Sequence, residues 1–86
     1  MSDRTILIVD DEPNIRSSLK GILEDENFKV YTANSGEEAL EKLQSIKPDV
    51  ILLDVLMPGG IDGIETLRRI KNLEPDSAVI IITGHG

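Results

Sequence analysis

Three short apolar runs in this chain each end on a side chain that carries oxygen. They are Ile6-Leu7-Ile8-Val9 into Asp10-Asp11, Val50-Ile51-Leu52-Leu53 into Asp54, and Val79-Ile80-Ile81-Ile82 into Thr83. Runs this short and this apolar read as parallel strands buried on both faces. In an open α/β sheet, ligands bind outside the carboxyl ends of the strands. The pattern therefore brings three carboxylates and a hydroxyl to one rim of one sheet, a setting for a divalent cation and a phosphoryl group.

The segments between the runs alternate with them in type. The first strand spans Thr5 to Asp10, and Asp11-Glu12-Pro13 opens a helix whose Pro suits the first turn, where its missing N–H has no partner to lose. Ile15, Leu19, Ile22 and Leu23 recur at helical spacing, Gly21 lowers the propensity, and the helix should end near Glu26-Asn27. Phe28 to Ala33 is a shorter, more polar strand that suits a sheet edge. Ser35 then caps a second helix, with Glu38 completing a capping box. Its buried face is Ala39, Leu40, Leu43 and Ile46, and Lys47-Pro48 ends it. The third strand spans Asp49 to Asp54, followed by a Gly- and Pro-rich loop from Val55 to Ile61. Asp62 caps a third helix with Ile64, Leu67, Ile70 and Leu73 as its stripe. Pro75-Asp76 breaks that helix, and Ala78 to Thr83 is the fourth strand. Alternation of this kind predicts a three-layer α/β fold, a parallel sheet with right-handed crossovers and helices on both faces.

The 86 residues make one small domain, in which about 60–65 % of the unfolded surface is buried. With one Tyr and one Phe, the core must be aliphatic. Sixteen acidic against nine basic residues argue against nucleic acid or an anionic membrane as a direct partner. No cysteine offers thiol chemistry, no run approaches a membrane span, and the first residues lack a signal-peptide core, so a cytoplasmic location is expected. The fourth strand is apolar at every position from Ala78 to Ile82, which suits pairing on both edges. Since no fifth strand follows, the chain is expected to continue in a parent protein, or this strand to pair with a second copy.

Adjacent carboxylates at a strand end repel each other, and a hard cation such as Mg²⁺ compensates them. Asp11 or Glu12 alone could simply cap the following helix, and Asp54 alone could bond loop N–H groups. Together, Asp10, Asp11 and Asp54 favour a metal site in which Asp54 is a nucleophile toward a phosphoryl group. The Thr83 hydroxyl could donate to that group. Gly59, Gly60 and Gly63 permit tight turns near the rim, no phosphate-loop or dinucleotide fingerprint is present, and the lone His85 is given no metal role.

With these residues the chain resembles the receiver domain of bacterial two-component response regulators. The resemblance rests on Ile6-Leu7-Ile8-Val9-Asp10-Asp11-Glu12, Asp49-Val50-Ile51-Leu52-Leu53-Asp54-Val55-Leu56-Met57-Pro58, Asp62-Gly63 and Ile81-Ile82-Thr83. The ending Thr83-Gly84-His85-Gly86 resembles the subgroup joined to sigma-54-type transcriptional activators. The resemblance implies a flavodoxin-like fold with strand order 2-1-3-4-5, of which this chain would hold 2-1-3-4. It also implies that Asp54 accepts phosphate from a phosphohistidine of a sensor kinase. Mg²⁺ would be held by Asp10, Asp11, Asp54 and the backbone carbonyl of Leu56, and Thr83 would be the switch hydroxyl. The helix from Pro13 to Glu26 would carry kinase-docking surface, and an output domain would follow the chain.

Two departures stand out. One additional residue lies among Gly59, Gly60 and Ile61, and the family's Lys at the end of a fifth strand, with the fourth helix, fifth strand and fifth helix, is missing from the chain. Two other readings remain. One is an aspartate-nucleophile phosphatase, which favours Asp-x-Asp where this chain has Asp10-Asp11-Glu12. The other is an interaction module that oligomerises through the fourth strand.

Overall fold

The computed structural model describes residues 4–55 and 63–82. Seven elements follow in order: β1 (Thr5–Val9), α1 (Pro13–Asp25), β2 (Lys29–Ala33), α2 (Gly36–Lys42), β3 (Val50–Asp54), α3 (Gly63–Leu73) and β4 (Ala78–Ile82). All strand pairs are parallel and the sheet order is β2-β1-β3-β4. The expected 2-1-3-4 arrangement is therefore present, with the more polar β2 at an edge.

The register sorts the aliphatic side chains onto two faces. Ile6 is level with Val50 and Ile8 with Leu52, and these pack with Val30 beneath Leu19, Leu23 and Phe28 on the α1 side. The alternate residues Leu7, Val9, Ile51 and Leu53 pack on the other side with Ala33 of β2, Ala39 of α2, Leu43 just after it and Ile70 of α3. Leu7, Ile8, Val9, Ile51 and Leu53 are all fully buried, as strands covered on both faces require.

The helix ends show how local chemistry sets the boundaries. Pro13 opens α1 as expected, but Glu12 at its cap makes no side-chain cap bond. The helix closes with Asn27 at φ 71°, while Phe28 N–H donates to Leu23 C=O at 3.1 Å and Asn27 N–H to Glu24 C=O at 3.0 Å. This is the left-handed closure that Asn tolerates better than other non-glycine residues. Ser35 Oγ accepts from Glu38 N–H at 3.1 Å, as the capping box predicts. The reciprocal Glu38 carboxylate reaches Asn34 N–H instead, one residue before the cap, at 2.5 Å.

Three expectations about the helices need correction. α2 ends at Lys42 rather than Lys47, because Gln44 N–H and Ser45 N–H bond three residues back and the chain continues to Ile46 as tighter turns. On α3 the buried face is Gly63, Thr66 and Ile70, with Leu67 packed beside them, while Ile64 is 61 % and Leu73 51 % exposed. On α1, Leu19 and Leu23 reach the core but Ile22 stays 60 % exposed. Apolar spacing located each helix, but it could not say which flank of the stripe meets the sheet.

β4 lies at the second edge among the described residues, and Ile80 and Ile81, on opposite faces, are 50 % and 43 % exposed. Full cover of this strand, expected from its composition, is not found among the described residues.

Candidate functional site

β1 and β3 are neighbours in the sheet, and their last paired residues, Val9 and Leu53, are level. The next residues, Asp10 and Asp54, therefore arrive side by side at the same rim, and Asp11 follows in the turn toward α1. One carboxylate oxygen from each of Asp10, Asp11 and Asp54 lies within 4.8 Å of the other two. Among the described residues this is the one such grouping of metal-ligating side chains. Asp10 is fully buried, Asp54 is 3 % exposed, and Asp11 is open to solvent.

Asp10 is held on several sides. Its N–H donates to Ala33 C=O at 3.1 Å, which ties it to the end of β2. Its Oδ1 accepts from Glu12 N–H at 2.9 Å. Its backbone carbonyl accepts from Arg16 Nη1 at 2.7 Å. Its Oδ2 is buried and has no hydrogen-bond partner among the described residues. Burial pushes the Asp10 carboxyl above the ordinary carboxylate value. The Glu12 N–H opposes this, and the charges of Asp54, Asp11 and Glu12 add to the rise.

A buried carboxylate oxygen without a donor, next to two further carboxylates, is costly unless something positive meets it. All the oxygens involved are hard ligands, and Mg²⁺ is bound through one or two carboxylates plus waters and phosphate oxygens. The cluster therefore fits a hard divalent cation. The remaining expected site members, Leu56 and Thr83, lie outside the described residues, as do Asp62 and His85. An open cleft lined by Arg4, Lys47, Asp49, Glu74 and Ser77 sits at the opposite rim, where the strands begin, and does not draw its acids together.

Sequence reasoning passed over two residues that shape the rim. A lone Arg such as Arg16 on an amphipathic helix is usually solvated. Its position in the first turn was the available signal, since helical side chains lean back toward the N-terminus. Gly63 stands out in the sequence for turn freedom and as part of the Asp62-Gly63 pair, neither of which implies close backbone packing. A Cβ there would stand 2.3 Å from Val55 Cα, so α3 begins in backbone contact with the residue that follows Asp54.

Comparison with known proteins agrees with this geometry. A sequence model of the family described as "Response regulator receiver domain" matches residues 6–86. The nitrogen assimilation regulatory protein NtrX of Azorhizobium caulinodans is 44 % identical over 82 residues, which cover 94 % of this chain and 18 % of that protein. The sporulation initiation phosphotransferase F of Bacillus subtilis is 40 % identical over 86 residues, covering all of this chain and 68 % of that one. The response regulator TrrA of Thermotoga maritima in complex with Mg²⁺-BeF superposes with a TM-score of 0.87 at 43 % identity, covering 96 % of this chain and 71 % of that one. The same protein in complex with the histidine kinase ThkA superposes with a TM-score of 0.86 over the same shares. The chain thus spans less than a fifth of NtrX and about two thirds of the sporulation phosphotransferase F. No described helix is long and apolar enough to cross a membrane. On its sequence, its strand order and the acids at its rim, the chain belongs to the receiver domain family of two-component response regulators.

Proposed function

We propose that Asp54 is the phosphoacceptor of this receiver domain, in a site where Asp10, Asp11, Asp54 and the backbone carbonyl of Leu56 hold Mg²⁺. The observation that carries this reading is the buried, unpartnered Oδ2 of Asp10 among three carboxylates at one strand rim. In the transfer, an Asp54 carboxylate oxygen attacks the phosphorus of a phosphohistidine. The new O–P bond forms as the N–P bond breaks, and the imidazole leaves with the electron pair. Bound Mg²⁺ supplies charge neutralisation for the phosphoryl oxygens. Asp10, fixed by Ala33, Glu12 and Arg16, presents Oδ2 with little freedom to turn away. Thr83, one residue beyond β4, would donate its hydroxyl to the phosphoryl group and report its presence.

The phosphodonor is a sensor histidine kinase, a partner chemistry supported by the ThkA complex of TrrA. Relatives that are transcriptional regulatory proteins support a transcriptional output unit in the parent protein; the sigma-54-type subgroup and a cytoplasmic location belong to the same reading. The domain acts as a phosphoacceptor rather than as a turnover enzyme.

Labelling with a small phosphodonor such as acetyl phosphate in the presence of Mg²⁺ tests the assignment. Acid-stable but base-labile phosphate is expected on the wild type and absent from Asp54→Asn. Unchanged labelling of Asp54→Asn would sink the assignment. Sustained release of product from p-nitrophenyl phosphate would favour the phosphatase reading instead.

A further inference from the structure

We propose that Arg16 is a positioning residue for the acidic site, acting through the peptide group that joins Asp10 to Asp11. The proposal rests on the reading of Asp10, Asp11 and Asp54 as a cation and phosphoryl site. Arg16 Nη1 donates to the Asp10 carbonyl at 2.7 Å, a charged, partly buried hydrogen bond spanning six residues. Such bonds are short and about twice as strong as neutral ones.

The carbonyl of Asp10 and the N–H of Asp11 lie in one rigid plane. Holding the oxygen holds that plane, and with it the direction in which the Asp11 backbone leaves the end of β1. The other polar atoms of Asp10 are divided in the same sense. Its N–H is anchored on Ala33 and its Oδ1 on Glu12, while Oδ2 alone is left for the cluster. Without Arg16, the peptide plane after Asp10 loses one of its restraints and keeps the Glu12 N–H bond to Oδ1, so the plane can tilt and the exposed Asp11 shifts with it. Arg16 sits in the first turn of α1 and reaches back to the Asp10 carbonyl, so the helix itself clamps the strand end.

Two physical roles for this cation predict opposite signs. If Arg16 served only as a positive charge near the carboxylates, its removal would relieve repulsion toward Mg²⁺ and tighten binding. If it positions the ligands, its removal loosens binding. Groups that orient metal ligands from outside the ligand set typically contribute about 10–100-fold in affinity.

The test compares wild type, Arg16→Met and Arg16→Lys. Metal-free melting reports folding, and the rise in melting temperature with Mg²⁺ concentration reports affinity. Arg16→Met, which keeps the aliphatic stem but has no donor, is expected to bind Mg²⁺ about 10-fold or more weakly. Arg16→Lys, which restores a single donor of similar reach, is expected to recover most of that loss. Unchanged or tighter binding in Arg16→Met overturns the proposal. So does a metal-free destabilisation in which the Mg²⁺ response stays intact, since that marks a purely structural role. If Arg16→Met does not fold, Arg16→Lys decides: affinity weakened beyond 10-fold despite the retained donor refutes it, and near-wild-type affinity upholds it. A wild type with no Mg²⁺ response overturns the site reading itself, which separates the two failures.

Discussion

Replacing Asp10 by Asn should stabilise the metal-free protein while removing its response to Mg²⁺. One carboxylate oxygen from each of Asp10, Asp11 and Asp54 lies within 4.8 Å of the others. At that separation each pair of charges repels by about 0.9 kcal/mol at the dielectric of water and about 3.5 kcal/mol at an effective value of about 20. Asp11 is exposed, so its pair with Asp10 belongs near the lower figure, whereas the buried pair of Asp10 and Asp54 belongs near the higher. Asn keeps an oxygen for Glu12 N–H and puts an amide donor where Oδ2 now stands unpartnered. A gain of about 1–3 kcal/mol at neutral pH is therefore expected in EDTA, or several degrees in melting temperature.

The gain has a pH signature. The Asp10 carboxyl is raised above its ordinary value of 3.8 in the fold. Its protonated form favours the native state, so its contribution is fully present below that value and is lost as pH rises through the raised one. The advantage of Asn is then small in acid and grows toward neutral pH. Mg²⁺ at about 100 times its dissociation constant adds about 2.7 kcal/mol to the wild type and should narrow or reverse the gap. Urea denaturation with and without metal at several pH values measures all three effects. A metal-free Asp10→Asn protein equal to or less stable than wild type at neutral pH would refute the electrostatic account of this rim.

Two glycines predict opposite outcomes for the same substitution. Gly21 lies on the open surface of α1 with nothing within 4 Å of an added Cβ, so Gly21→Ala should raise stability by about 0.5–1 kcal/mol with Mg²⁺ affinity unchanged. At Gly63 an added Cβ would meet Val55 backbone at 2.3 and 2.6 Å, so Gly63→Ala must displace the chain next to Asp54. A loss of about 2–3 kcal/mol with weakened phosphorylation is expected, and denaturation midpoints with acetyl phosphate labelling check both.

The parts of this protein legible in its sequence are those governed by short-range rules. The apolar runs bounded by Asp, Pro and Ser locate each described strand and helix, and the strand-end rule alone places Asp10, Asp11 and Asp54 at one rim. Less legible were features that depend on which neighbour an element meets. Ile64 and Leu73 fit a helical stripe as well as Thr66 does, yet the sheet selects the Gly63–Thr66–Ile70 side because Gly63 alone allows close approach to Val55. The reach of Arg16 to Asp10 is a matter of helix direction relative to the strand end, which no periodicity encodes.

The site and the fold therefore pull against each other at Asp10. Every anchor that stiffens this residue, from Ala33, Glu12 and Arg16, also denies its carboxylate the freedom to turn toward water. A looser rim would relieve the repulsion by rotating one acid outward, and would lose the arrangement a cation requires. Rigid presentation of like charges makes the metal-free state less stable and makes cation binding correspondingly worth more to the native state. Because a phosphoryl group on Asp54 would change the charge at the same rim, the anchors that hold Asp10 would also set how strongly phosphorylation is felt by β1, β3 and the start of α1.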